Sequence, residues 1–217
     1  MPSIVTTSQK YRITLIEDML GTIVKDKDVF KEYLAAAALE AGTAPEQVDE
    51  SVEAVPPPPD RKGSETGFYT DDEGIFLFDY QFRGFLREAA NTLAGPDQLN
   101  IKNLRSKFTN FVFVTPRKIR IFGVSPLNSV PMLQIIKPDD QFTRPVRAMT
   151  MQGPRVSLVR SDIVKAGRWF DLEISLLKNK EKIDFDVIET VMEYGKLQGL
   201  LQFRTGGWGR FSFEKIK

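Results

Sequence analysis

Between residues 199 and 211 the chain reads Gly199-Leu-Leu-Gln-Phe203-Arg204-Thr-Gly206-Gly207-Trp208-Gly209-Arg210-Phe211. Glycine permits positive φ and the close approach of backbone to a ligand. Arginine presents a planar fork of donors to phosphate, and an aromatic ring offers a face on which a base can stack. These ingredients in one loop point to contact with a nucleic-acid backbone. Arg204 and Arg210 are the phosphate candidates, Phe203 and Trp208 the stacking candidates, and the N–H groups around Gly206 and Gly207 further donors. A tight turn whose glycines let Trp208 and Phe211 pack is the plainer reading, and Phe203 suits a core position better than Trp208 does.

The 217 residues include no histidine and no cysteine. That removes the commonest general base, the Ser-His-Asp triad, a thiolate nucleophile, disulfides and the usual transition-metal ligands. Carboxylate-bound Mg²⁺ and Lys or Tyr chemistry remain open, so an enzyme is disfavoured and no cofactor is called for. No run approaches the roughly 18 apolar residues of a membrane span. Met1-Pro-Ser-Ile-Val5 lacks the basic and apolar regions of a signal peptide. A cytoplasmic protein with no membrane partner is expected.

A net charge of +1 hides segregation along the chain. Residues 41–75 carry a net −7, whereas residues 101–168 carry a net +10. Such asymmetry suggests a polyanion-binding body beside an acidic surface segment.

The elements that must position these residues follow from periodicity. Tyr11 to Ile16 alternates as a strand, followed by a loop through Met19-Leu20-Gly21. Asp28 can cap a helix running to about Ala41. Residues 43–73, with Val55-Pro56-Pro57-Pro58-Pro59-Asp60 at their centre, read as an exposed, mobile acidic insertion within one domain rather than a linker between two. Gly74 to Phe78 is a short apolar strand. Asp79 then caps a helix reaching Gly95, with Phe82, Phe85, Leu86, Ala89, Ala90 and Leu93 as its core face. Arg83 and Arg87 share its other side. Gly84 between them costs about 1 kcal/mol relative to alanine, which makes sense where a backbone or ligand comes close, although simple helix packing is the alternative.

The basic middle reads as β-rich. Phe111 to Val114, a Thr115-Pro116 break and Arg117 to Phe122 suggest a hairpin or bent strand, with Ile119 and Ile121 inward and Lys118 and Arg120 outward. A second hairpin turns at Gln152-Gly153-Pro154 and carries Arg144, Arg147, Arg155 and Arg160. Trp169 to Leu177 alternates with Phe170, Leu172, Ile174 and Leu176 inward. Asp184 starts the last helix, whose buried face is Phe185, Ile188, Val191 and Met192, and a strand from Arg210 closes the chain. The fold class is α+β, a single domain over residues 1–217.

Three features in this order resemble the RAMP superfamily, which supplies backbone subunits of CRISPR effector complexes. They are the first strand with its Met19-Leu20-Gly21 loop, Arg83-Gly84-Phe85-Leu86-Arg87 beside a "KGxLR"-like helix start, and Gly199 to Arg210 beside a "GxxxxxGxGR" loop. The resemblance implies a ferredoxin-like (RRM-type) core, βαββαβ, with added hairpins. It also implies binding of RNA by shape and backbone, often as repeated copies along one strand, and extends to solitary members in phages and mobile elements. Members that process RNA commonly use histidine, which is lacking here. Others cleave through an aspartate after the first strand, and Asp18, Asp26 and Asp28 lie near that place.

The expected function is therefore non-catalytic binding of single-stranded nucleic acid, RNA before DNA. Phosphates would be held by Arg83, Arg87, Arg117, Lys118, Arg120, Arg147 and Arg155 with the terminal loop. The first rival is a protein–protein module, such as a phage-encoded inhibitor or an assembly subunit, contacting partners through the acidic segment. A metal-dependent nuclease ranks last, because no paired-carboxylate spacing supports it.

Overall fold

The strand β1 (Thr6–Leu15) lies at the centre of the sheet: its second half, from Tyr11 to Leu15, alternates inward and outward, and it finds a partner on each edge. The computed structural model describes residues 4–25, 65–123, 133–135, 137–150, 153–178 and 183–216. Beside β1 lie β13 (Trp169–Leu177) and β14 (Phe211–Ile216), both antiparallel to it, with Ile13 opposite Phe170 on one side and Phe213 on the other. β7 (Val112–Thr115) extends the sheet beyond β13, again antiparallel. β9 (Phe122–Gly123) also pairs with β13, at Trp169, and β10 (Leu133–Gln134) pairs with β9. In chain order β1, β7, β13 and β14 are arranged spatially as β14-β1-β13-β7. Helix α1 (Asp79–Leu93) precedes β7, and α3 (Phe185–Glu193) lies between β13 and β14. The class is α+β, as expected.

The alternation of β1 and β13 sends Tyr11, Ile13, Leu15, Phe170, Leu172 and Ile174 to one face, where all are buried. There they meet Phe82, Phe85, Leu86, Ala89 and Ala90 of α1 and Ile188, Val191 and Met192 of α3. Phe211 sits at the junction, its ring 5.0 Å from Phe85 and 5.9 Å from Phe82. Each buried Leu, Ile, Val, Phe or Met side chain among these stabilises by about 1.5–3 kcal/mol, and Ala89 and Ala90 by less. The buried Tyr11 hydroxyl donates to Glu189 at 2.9 Å, and burial followed by that contact pushes its pKa upward. Asp184 caps α3 by accepting from the Val187 N–H. At the start of α1, by contrast, the cap position is Phe78, whose N–H donates to the Gln81 side chain, and Asp79 instead takes an ion pair from Arg117.

Several expectations are corrected. Met19–Leu20 is not loop: it forms β2, fully buried, paired with Val164 and Ile163 of β12 (Gly153–Val164). Leu104–Phe111 is a helix, α2, inside the stretch read as β-rich. Its Asn103 makes no side-chain cap and only Leu104 and Phe108 are buried, so it carries little sequence signal. Val112–Thr115 and β8 (Lys118–Arg120) do not form a hairpin. The first pairs with β13, and the second joins β6 (Gly74–Phe78) in a three-stranded sheet with β5 (Tyr69–Asp71). The second hairpin is present, as β11 (Asp140–Thr150) and β12. β12 also pairs with β4 (Glu65–Gly67), which pairs with β3 (Ile23–Val24). The expected helix from Asp28 and residues 43–64 of the expected insertion lie outside the described residues. The end of that insertion, residues 65–73, is built into β4, β5 and the turn to β6.

Among the described residues, folding cancels part of the charge segregation of the sequence; Glu46, Asp49, Glu50, Glu53 and Asp60 lie outside them. Arg120 bridges Asp71 and Glu73, with Nη2 2.9 Å from Asp71 Oδ2, and Lys118 reaches the same Asp71 at 2.7 Å. Asp139 takes Arg168, and Glu65 takes Arg160 at 3.5 Å. The hydrogen bonds from Arg120, then Lys118, hold the Asp71 carboxyl far below the usual carboxylate range against the opposing effect of burial. A carboxylate with a depressed folded pKa adds stability above its unfolded pKa of about 3.9 and loses it as pH falls towards the folded value. Asp71→Asn should therefore cost about 1–3 kcal/mol at neutral pH. In denaturant titrations at stepped pH, the gap to wild type should stay constant down to about pH 4 and close below it. A gap independent of pH down to acid unfolding would show that the Asp71 charge contributes nothing.

Candidate nucleic-acid interface

The terminal loop is a backbone crossing. The Leu200 N–H donates to the Gly209 carbonyl at 2.9 Å, and the Gly209 N–H donates to the Asp18 carbonyl at 2.7 Å. A Cβ on Gly199 would collide with the backbone of Trp208 through Arg210, and one on Gly209, at φ +72°, would lie 2.5 Å from the Leu200 carbonyl oxygen. These two glycines are required by the crossing itself. The segment between them is forced outward as a short arch, and the Phe203 ring stands 41% exposed on it. Phe203, which suited a core position better than Trp208, is instead the more exposed of the two rings.

The arch rests on the base of the β11–β12 hairpin through two ring contacts. Trp208, half-buried, packs on Phe142 with ring centroids 4.7 Å apart. The Arg144 guanidinium lies 4.3 Å from the Phe203 ring centroid, in cation–π geometry. The Nε atoms of Arg144 and Arg210 are both buried without a hydrogen-bond partner. Gly207, at φ +88°, packs on the Arg210 guanidinium, and a Cβ there would lie 2.8 Å from Nη2. A shallow pocket of about 330 Å³ opens beside Arg210, between Gly206, Gly207, Trp208, Glu17 and Asp18. Arg144 was legible as a hairpin base but not as a member of this site, because its contact is made across 59 residues of sequence.

The expected loop N–H donors are already committed. Gly206 N–H donates to Phe203 and Gly207 N–H to Arg204. With these two N–H groups engaged, the charged donors left for an anion here are the guanidinium groups. Arg204 reaches across to α1 and pairs with Glu88 at 2.5 Å. Gln198 donates to the same carboxylate, and the Tyr194 hydroxyl donates to Gln198.

The other expected site residues do not gather around this loop. Arg83 donates to the Thr109 carbonyl at the α2 side of α1, its guanidinium 5.3 Å from the Phe113 ring. Arg87 is half-buried one turn further along α1. Arg117, Lys118 and Arg120 are neutralised by Asp79, Asp71 and Glu73 on the three-stranded sheet. Arg147 and Arg155 stand in the hairpin register opposite Val156 and Ala148. Asp18 is also occupied: its carboxylate accepts from the Ala166 N–H at 2.8 Å and so holds the β12–β13 turn.

On the open face of the central sheet the indole of Trp169 is already engaged by protein. Trp169 lies between Arg12, whose guanidinium is 3.9 Å from its centroid, and Phe122, stacked at 4.9 Å from the opposite neighbouring strand. Arg12 is itself forked onto Asp171 by two hydrogen bonds of 2.9 Å. Both neighbours of the indole are thus filled by protein, and the arginine charge is matched.

No protein-family model matches the sequence, and a search of curated proteins finds no match. Among solved structures, a chain of a Type IV-B CRISPR complex is similar, with a TM-score of 0.43 and 11% identity over 97% of this chain and 90% of that chain. Among the described residues, no helix is long and apolar enough to cross a membrane.

If the crossing holds the arch, Gly199→Ala should destabilise the fold by at least about 2 kcal/mol, since the added methyl meets backbone on three residues. Gly167→Ala, at φ +80° with nothing within 4 Å of the added Cβ, should cost only about 1 kcal/mol. Chemical denaturation of the two variants measures the difference, and equal costs would mean that the arch relaxes freely.

Proposed function

We propose that this protein binds single-stranded nucleic acid without cleaving it, holding the strand where the C-terminal arch meets the hairpin base. The observation that carries this reading is the pairing of two guanidinium groups bearing unpartnered buried Nε atoms, Arg144 and Arg210, with two accessible rings, Phe203 and Trp208, on one small surface. Guanidinium groups without carboxylate partners favour phosphate, and adjacent rings favour bases over a purely anionic ligand. Binding without cleavage is supported by the lack of histidine and cysteine; of the three aspartates after the first strand, Asp18 is engaged by the Ala166 N–H, and Asp26 and Asp28 lie outside the described residues. RNA is preferred to DNA on the motif resemblance. The strand order β14-β1-β13-β7 with a helix in each crossover is read as the ferredoxin-like arrangement, with the hairpin added to it. Binding as a subunit beside other copies on one strand is the corresponding assembly.

Arg144→Ala and Arg210→Ala should each weaken binding to unrelated sequences by a similar factor and lower the salt slope by roughly 0.7. Trp208→Ala should cost about 1–3 kcal/mol of binding while leaving the slope nearly unchanged, because stacking releases no counterions. Arg120→Ala, whose charge is matched inside the fold, should leave affinity unchanged. Fluorescence anisotropy with labelled RNA and DNA oligonucleotides across a salt series reads all four. Absence of binding to either polymer at low salt would end the nucleic-acid reading.

A further inference from the structure

Gly84 occupies the middle of α1, where alanine would favour the helix, yet among the described residues no atom outside its own helical turn comes within 4 Å of the place its Cβ would take. Its φ does not require glycine, and no described element packs into the space. The space belongs to a groove of about 640 Å³ that runs along one side of α1. Tyr80, Gly84 and Glu88, spaced by one turn each, form its near wall; Ile23, Val24 and Tyr69 face them. The Phe78 and Tyr80 rings stack at 5.5 Å, and the Tyr69 and Tyr80 hydroxyls hydrogen bond at 3.0 Å, which fixes the aromatic end.

The other end of the groove is Leu201 and Arg204, from the same arch that carries Phe203. Leu201 (φ +61°) and Phe203 (φ +55°) are both held in the left-handed region, which is unfavourable for bulky side chains and is tolerated where the surroundings over-determine it. Arg204 here is matched by Glu88, so this end presents donors and acceptors without net positive charge. The groove therefore suits a flat ligand with apolar faces and a polar, uncharged edge. Phosphate is disfavoured, and the guanidinium groups of Arg144 at the hairpin base and Arg210 of the arch, which pair with no carboxylate among the described residues, lie outside the groove.

We propose that this groove takes one unpaired nucleobase of a strand held at the arch, with its ring passing over Gly84. The assignment rests on the nucleic-acid reading above and adds to it a base-accepting subsite next to the phosphate contacts. Glycine is kept at position 84 because any side chain would enter the space the base fills.

The test sets stability against affinity. Gly84→Ala and Gly84→Gln replace glycine by good helix formers at an open position, so both should fold and raise Tm by a few degrees. Gly84→Gln should nevertheless weaken binding to a single-stranded oligonucleotide by about tenfold, the scale of one stacked base, and Gly84→Ala by less. On an oligonucleotide of the same length made of abasic nucleotides, both variants should bind as wild type does, because no base remains to be excluded. If Gly84→Gln binds the base-bearing strand as well as wild type while Arg210→Ala still loses affinity, the groove takes no base and only the phosphate reading stands. A loss of equal size on the abasic strand would also overturn the proposal. If wild type binds neither oligonucleotide, both readings fall together.

Discussion

Two chain segments touch backbone to backbone where Gly199 meets residues 208–210, and the arch and the binding surface proposed on it depend on that contact. It has no room for a Cβ on either strand of the crossing. It is fastened to the first strand's exit by the Gly209–Asp18 hydrogen bond and by Ile16 donating to the Arg210 carbonyl at 2.8 Å. Because β14 follows at once and pairs along β1 from Leu15 to Lys10, the arch inherits the rigidity of the central sheet. Phe203, Arg204, Trp208 and Arg210 are thereby presented from a loop with little freedom, which reduces the ordering cost of binding.

A second close approach organises the neighbouring sheet. Gly21 and Gly67 meet backbone to backbone, and beneath them Lys25 and Asp162 form an ion pair at 2.5 Å with side chains only 7% and 4% exposed. Gln141 donates to the other oxygen of Asp162, so the hairpin, β12 and the chain after β3 share one polar knot. Removing either charge would leave the other buried and unpaired, a cost of about 3–5 kcal/mol. The knot fixes where the hairpin leaves the body, and hence where Phe142 and Arg144 meet the arch.

The periodic elements were legible because their burial follows directly from side-chain alternation. The inward set of β13, the stripe of α1, the Asp184 cap and the pairing of the last strand with the first all stand as read. What was not legible depends on distant contacts. Helix α2 has two buried anchors and no cap, so nothing local distinguishes it from strand. The net charge of residues 101–168 overstated the free positive surface, because Asp71, Asp79 and Glu73 return from earlier in the chain to neutralise Arg120, Arg117 and Lys118. The loop motif pointed to the arch, yet composition could not show that the Gly206 and Gly207 N–H groups are consumed internally or that Arg144 packs against Phe203. Gly84 is the converse case: its anomaly in a helix was visible in sequence, but only the structure shows that the space beside it is open.

The central claim is that a strand lies across the arch and the hairpin base. Photocrosslinking of a single-stranded RNA carrying 5-iodouridine, followed by mass spectrometry of the crosslinked peptides, tests it most directly. The account predicts adducts on Phe203, Trp208 or Phe142. Adducts confined to Trp169 and Phe122, on the open face of the central sheet, would contradict it.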